Sequence, residues 1–157
     1  MEFDATDLRL LDLLQSDASL SNQALAEQAH TSPATALRRV RRLMDEGVIE
    51  RRVALLNPDR LGAGLTALVE ITLDRQGAEH LDAFEAHAVA DAAVQQCYRV
   101  SPGPDFVLVL LVADMAAYHS LVQRLFTQDA NVRNVKAYFS VKRGKFDLRL
   151  PLRPAVG

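Results

Sequence analysis

Ser32-Pro33-Ala34-Thr35-Ala36-Leu37-Arg38-Arg39-Val40-Arg41-Arg42-Leu43-Met44-Asp45-Glu46-Gly47 decides how this 157-residue chain is read. Ser32 can accept a hydrogen bond from the free N–H groups of a first helical turn. Pro33 lacks the donor that would be orphaned there, and Gly47 suits a left-handed C-terminal cap. The stretch is therefore a delimited helix. Ala36, Leu37, Val40, Leu43 and Met44 recur at helical spacing and predict a core-facing stripe, while Ala34, Thr35, Arg38, Arg41, Arg42 and Asp45 point elsewhere. Two readings fit that arrangement. Either the basic face meets nucleic acid, or it is a solvated surface whose arginines pair with acids at i+4, Arg41 with Asp45 and Arg42 with Glu46.

Working outward, the chain is long enough to bury a real core, as one medium domain or two small ones. With 49% hydrophobic and 24% charged residues it has an ordinary soluble composition. No apolar run approaches a membrane span and no secretion signal opens the chain, so the expected compartment is the cytoplasm. Cys97 is the single cysteine, which excludes an internal disulfide framework and leaves no partner for a cysteine zinc site. A net charge of −2 argues against indiscriminate coating of nucleic acid, so any such contact is local. Locality is visible. Six arginines fall between Ser32 and Arg52 against Asp45, Glu46 and Glu50, whereas Glu2, Asp4, Asp7, Asp12 and Asp17 crowd the first helix.

Asp4 is a good N-cap with Asp7 three residues on, predicting a helix from about Ala5 to Gln15 with Leu8, Leu11 and Leu14 buried. Ser21 caps a second helix that packs through Leu25, Ala26 and Ala29. Three helices with a tight turn at His30-Thr31 make a helix-turn-helix pattern. Residues 48–56 have β-type composition and predict a short strand, or wing, ending at Asn57-Pro58 and continuing as a linker through Gly62-Ala63-Gly64. Strands and helices then alternate. Strands are expected at 65–73, 94–101, 105–113 and 132–142, with helices from Ala78 and from Met115, the latter capped by Asp114. That order, βαββαβ, is the ferredoxin-like split unit. The strands carrying Leu68 and the run Val107 to Val112 are apolar on both faces, which predicts that a second subunit covers the face opposite the helices. The fold class is thus α+β: a winged helix-turn-helix domain over 1–62 and a ferredoxin-like domain over 63–157.

In this arrangement the chain resembles the Lrp/AsnC (feast/famine) family of transcription regulators over nearly its whole length. The resemblance rests on Asp4, Asp7 and Leu11-Leu14; Leu25-Ala26; Ser32-Pro33; Arg39-Val40-Arg41-Arg42-Leu43; Gly47 and Ile49. It continues through Ala54-Leu55-Leu56-Asn57-Pro58, Leu61-Gly62, Val69-Glu70-Ile71 and Ala113-Asp114-Met115 with Tyr118. It implies a DNA reader joined to a domain that dimerises, often assembles further to tetramers or octamers, and commonly binds amino acids between dimers. One loop departs from the family pattern. Where members carry Gly-x-x-Asp, this chain has Ser101-Pro102-Gly103-Pro104-Asp105, with Pro102 at the glycine position and two backbone donors removed.

The DNA-binding residues expected from these readings are Ser32, Ala34, Thr35 and Arg38 near base edges, Arg39 and Arg42 partly on phosphates, and Arg51 and Arg52 on the wing. The effector site that the resemblance implies combines Ser101, Gly103 and Asp105 with Met115, Tyr138 and Ser140. Asp105 would hold an α-ammonium group or, alternatively, only cap a turn. The partners expected are double-stranded DNA, a second copy of the chain and an amino-acid-like effector, with no membrane, metal or cofactor. Competing classes are an enzyme of the same fold, such as a decarboxylase-like relative, and an architectural protein that organises DNA. His30, His80, His87 and His119 are scattered and no nucleophile sits at catalytic spacing, so no catalytic residue is expected.

Overall fold

The computed structural model describes residues 3–62 and 64–152. Glu2 of the acidic N-terminus and Ala63 of the linker lie outside the described residues. Contacts divide the chain into two compact units: residues 3–55 together with 145–152, and the described part of 56–144. The segment 145–152 thus groups with the helix-turn-helix.

In the first unit, α1 (Ala5–Ser16), α2 (Asn22–Gln28) and α3 (Pro33–Asp45) each begin at the expected cap. Asp4 accepts from the N–H groups of Thr6 and Asp7, and the Asp7 carboxylate accepts from the Asp4 N–H, closing a reciprocal capping box. Ser21 accepts from Ala24 N–H and Ser32 from Thr35 N–H. α3 ends in a Schellman pair: Val48 N–H donates to Leu43 O, Gly47 N–H to Met44 O, and Gly47 takes φ +72°. His30 holds the tight turn before α3 at φ +55°. Leu10, Leu14, Leu25, Ala26, Ala29, Ala36 and Val40 form the core.

Three expectations are corrected here. The buried side of α1 runs through Asp7, Leu10 and Leu14, with Leu8 and Leu11 only half-buried, because α1 turns a carboxylate toward α3. On α3 the buried residues are Ala36, Val40 and Leu43; Leu37 is 51% exposed and Met44 45%. Residues 50–57 form no strand, and Val53, Leu55 and Leu56 are exposed. A strand needs a neighbour to take its backbone hydrogen bonds, and no described residue pairs with this segment.

The second unit opens with a 3₁₀ turn at Pro58–Leu61, capped by Asn57 and closed by Gly62 at φ +71°. Then follow β1 (Leu65–Leu73), α4 (Ala78–Val89), β2 (Val94–Arg99), β3 (Phe106–Val112), α5 (Met115–Val122) and β4 (Val132–Phe139). A wider turn extends α5 over Gln123–Thr127. The antiparallel sheet has order β2-β3-β1-β4, which completes the βαββαβ unit. Ala67, Val69, Ile71 and Leu73 of β1 and Phe106, Leu108, Leu110 and Val112 of β3 face Phe84 and Ala88 of α4 and Tyr118 and Leu121 of α5. The opposite face carries Leu68, Tyr98 and Tyr138, all exposed, and the half-buried Val107, Val109 and Leu111. Val141, expected to extend β4, is fully exposed beyond its end.

Candidate nucleic-acid interface and ligand-binding region

The arginines of α3 divide by partner. Arg39 Nη1 lies 2.7 Å from Asp4 Oδ2 and 2.9 Å from Asp7 Oδ1, and Arg42 Nη2 lies 2.7 Å from Asp7 Oδ2. These two guanidiniums brace α3 against the capping box of α1. The Asp4 carboxyl is held below the usual range, first by the Asp7 N–H and then by Arg39. Arg39 Nε is buried without a hydrogen-bond partner, so burying this clamp carries a cost as well as a gain. Arg42 reaches Glu46 only at 4.0 Å, and the expected pair of Arg41 with Asp45 does not form.

Arg38 and Arg41 are exposed and have no ion pair or hydrogen bond among the described residues. Arg51 and Arg52 are likewise exposed, on the extended segment after α3. Ala34, Leu37, Arg38 and Arg41 follow i, i+3, i+4, i+7 spacing and form an exposed stripe, with Ala34, Arg38 and Arg41 turned away from Ala36, Val40 and Leu43 and Leu37 at its core-side edge. Leu37, expected in the core, is instead exposed. Ser32 Oγ donates to Thr35 Oγ1 at 2.9 Å, so these two hydroxyls are tied to each other at the start of the helix. Asn22, at the start of α2, donates to Pro33 O and fixes the approach of α2 to α3.

The six effector residues do not converge within one chain. Asp105 Oδ2 accepts from Leu73 N–H at 2.7 Å and from Gln76 Nε2 at 3.2 Å, and Asp105 N–H donates to Ile71 O. Ser101 and Gly103 lie in the same loop, at the Ile71–Leu73 end of β1. Met115, Tyr138 and Ser140 lie at the other end: Tyr138 is paired with Leu68, Ser140 N–H donates to Thr66 O, and Met115 follows Val112, the partner of Leu65. Six residue steps along β3 separate the ends by about 20 Å. Antiparallel register therefore splits the group in two. At the Asp105 end an open cleft of about 440 Å³ is lined by Asp74, Arg75, His80, Ala130 and Asn131.

Among the described residues no cluster of His, Cys, Asp or Glu could hold a metal ion. Cys97 is half-buried beside the core, and burial pushes its thiol pKa up. No described helix is long and apolar enough to cross a membrane.

A capped three-helix reader with an outward basic stripe, joined to a βαββαβ domain, defines a DNA-binding protein of the helix-turn-helix class. Residues 3–50 match a family model for winged helix-turn-helix DNA-binding domains, and residues 66–150 match the Lrp/AsnC ligand binding domain. The leucine-responsive regulatory protein of Salmonella typhimurium is 34% identical over 97% of this chain and 93% of its own length. An uncharacterised HTH-type transcriptional regulator of Haemophilus influenzae is also 34% identical, over 92% and 86%. Among solved structures, an AsnC family transcriptional regulator from Agrobacterium tumefaciens superposes with TM-score 0.89 at 31% identity, covering 95% of this chain and 97% of its own. A Neisseria meningitidis transcriptional regulator in complex with L-Met superposes with TM-score 0.88 at 28% identity, covering 95% and 96%. The chain belongs to the Lrp/AsnC family of helix-turn-helix transcriptional regulators.

Proposed function

We propose that this regulator works in the cytoplasm as a dimer or a higher assembly of dimers, that it reads a pseudo-palindromic operator through α3, and that an amino-acid-like effector modulates it. It acts as a regulator rather than an enzyme. The observation that carries the reading is the division of the α3 arginines. Arg39 and Arg42 are used up in bracing the helix, while Arg38 and Arg41 are left unpaired on its outward side.

Arg38 has the fork geometry to meet guanine O6 and N7, and Ala34 and Thr35 can touch a neighbouring base. Arg51 and Arg52 add phosphate contacts that hold register without carrying sequence information. The sheet face carrying Leu68, Val107, Val109, Leu111, Tyr98 and Tyr138 is apolar enough to be the dimer surface. An effector site built from both ends of the sheet has to draw on more than one copy: Ser101, Gly103 and Asp105 from one, Met115, Tyr138 and Ser140 from another.

Selection of bound duplexes from random DNA at physiological salt tests the reading. The expected product is a pseudo-palindrome with half-site centres spaced by about 10 bp or a multiple of it. Binding without any recoverable motif would replace the operator reader with an architectural protein.

A further inference from the structure

We propose that Leu37 is a specificity-determining residue of α3 and reads the C5-methyl group of a thymine in each half-site, at the edge of the stripe that carries Arg38 and Arg41. The inference rests on α3 being the DNA-reading helix.

A single exposed leucine is ordinary on a protein surface, so exposure alone means little. Its position is what carries the argument. Leu37 is 51% exposed on the flank of α3, about a quarter turn from the buried stripe of Ala36, Val40 and Leu43, so it contributes little to the core. It stands at the core-side edge of the outward stripe, next in sequence to Arg38 and one turn before Arg41, the two guanidiniums of this helix without an ion pair or hydrogen bond among the described residues. The small side chain of Ala34 lies one turn earlier and leaves room for a base edge to approach. Leu37 also falls in the first half of α3, and the N-terminal part of a reading helix is the part that reaches base edges. In the major groove the one apolar feature of a base edge is the thymine methyl. A branched aliphatic chain beside two cations has no other complement there. The charges are drawn to the groove and the phosphates, and the leucine meets the methyl.

The test uses the full-length protein and the duplex recovered by selection, with thymine replaced by deoxyuridine one symmetric pair of positions at a time. That change removes the methyl and leaves every hydrogen-bonding group. Wild type should lose about fourfold in affinity for one half-site, and about fifteenfold for both, at one pair of positions. L37A should bind the thymine duplex as weakly as wild type binds the uracil duplex, and should be indifferent to the replacement. Affinity for random-sequence duplex should be unchanged. Alanine is well tolerated at an exposed helical site, so an unchanged melting temperature is expected for L37A.

Indifference of wild type to every thymine replacement would overturn the proposal, as would an undiminished methyl dependence in L37A. A change in assembly size for L37A would overturn it too, because Leu37 would then pack with Met44 against another copy. A recovered motif with no methyl dependence sinks this inference and leaves the operator reading standing; absence of a motif removes both.

Discussion

Asp7 and Arg39 are 32 residues apart in sequence, yet the Asp7 carboxylate, 3% exposed, accepts a 2.9 Å hydrogen bond from the Arg39 guanidinium. The same carboxylate takes Arg42 on its other oxygen. One buried aspartate thus sets the position of a helix whose free face is left for DNA. Asp7→Asn should leave Arg39 and Arg42 without their shared anion and destabilise the first unit by about 2–3 kcal/mol. That is below the cost of breaking a fully buried pair, because both arginines are partly solvated. Urea unfolding monitored by helical circular dichroism measures it, and a loss under 0.5 kcal/mol would show that the pair contributes nothing net.

Acid should loosen the same contact. Asp4 is held below the ordinary aspartate range by the Asp7 N–H first and by Arg39 next, and Asp91 by its 2.6 Å pair with Arg124. A depressed carboxyl pKa contributes stability that is fully present above its unfolded value, near 3.9, and is lost as pH falls through the folded value. The melting temperature should therefore be insensitive to these two groups near neutrality and should fall below about pH 4. The fall should be shallower in Asp4→Asn and in Asp91→Asn.

Base readers and phosphate binders separate by their salt response. Arg38→Ala should relax the selected motif at one position and cost about 1–3 kcal/mol on the cognate duplex. Arg52→Ala should weaken all duplexes alike and lower the slope of log affinity against log salt by about one. Equal loss on every sequence for Arg38→Ala would move that arginine to the backbone.

Asp105 has two candidate roles, and stability distinguishes them from ligand binding. Its bonds to Leu73 and Gln76 tie the loop after β2 to the end of β1, so Asp105→Ala should destabilise the second unit by about 1–2 kcal/mol without any ligand present. Calorimetry of the wild type against the twenty amino acids is expected to show binding of at least one, and silence at millimolar concentration would end the effector reading. Loss of binding in Asp105→Ala with unchanged stability would assign the carboxylate to the ligand instead.

Much of this architecture was legible beforehand, for identifiable reasons. Asp4, Ser21, Ser32, Pro33 and Gly47 act through their own neighbours' backbone groups, so their roles can be read locally. The alternation of Ala67, Val69, Ile71 and Leu73 likewise depends only on strand geometry. What escaped depends on partners far along the chain. Arg41 is outward by spacing alone, but that it and Arg38 are the ones without partners depends on α1 taking Arg39 and Arg42. The segment carrying Val53 has strand composition without a strand to join. Ser101 and Met115 were grouped although antiparallel register puts them at opposite ends of the sheet.

The C-terminal segment has a consequence for the order in which the molecule is made. The Gln15 side-chain amide donates to Leu150 O and accepts from Leu150 N–H, both at 2.9 Å, across 135 residues of sequence. The unit that holds α1 to α3 is thus finished by residues translated after the whole of the second unit. Domains usually fold as they emerge, first made first folded. Here the DNA reader waits, unstrapped, until the whole ligand-binding unit has been translated, so a truncated message yields no completed reader.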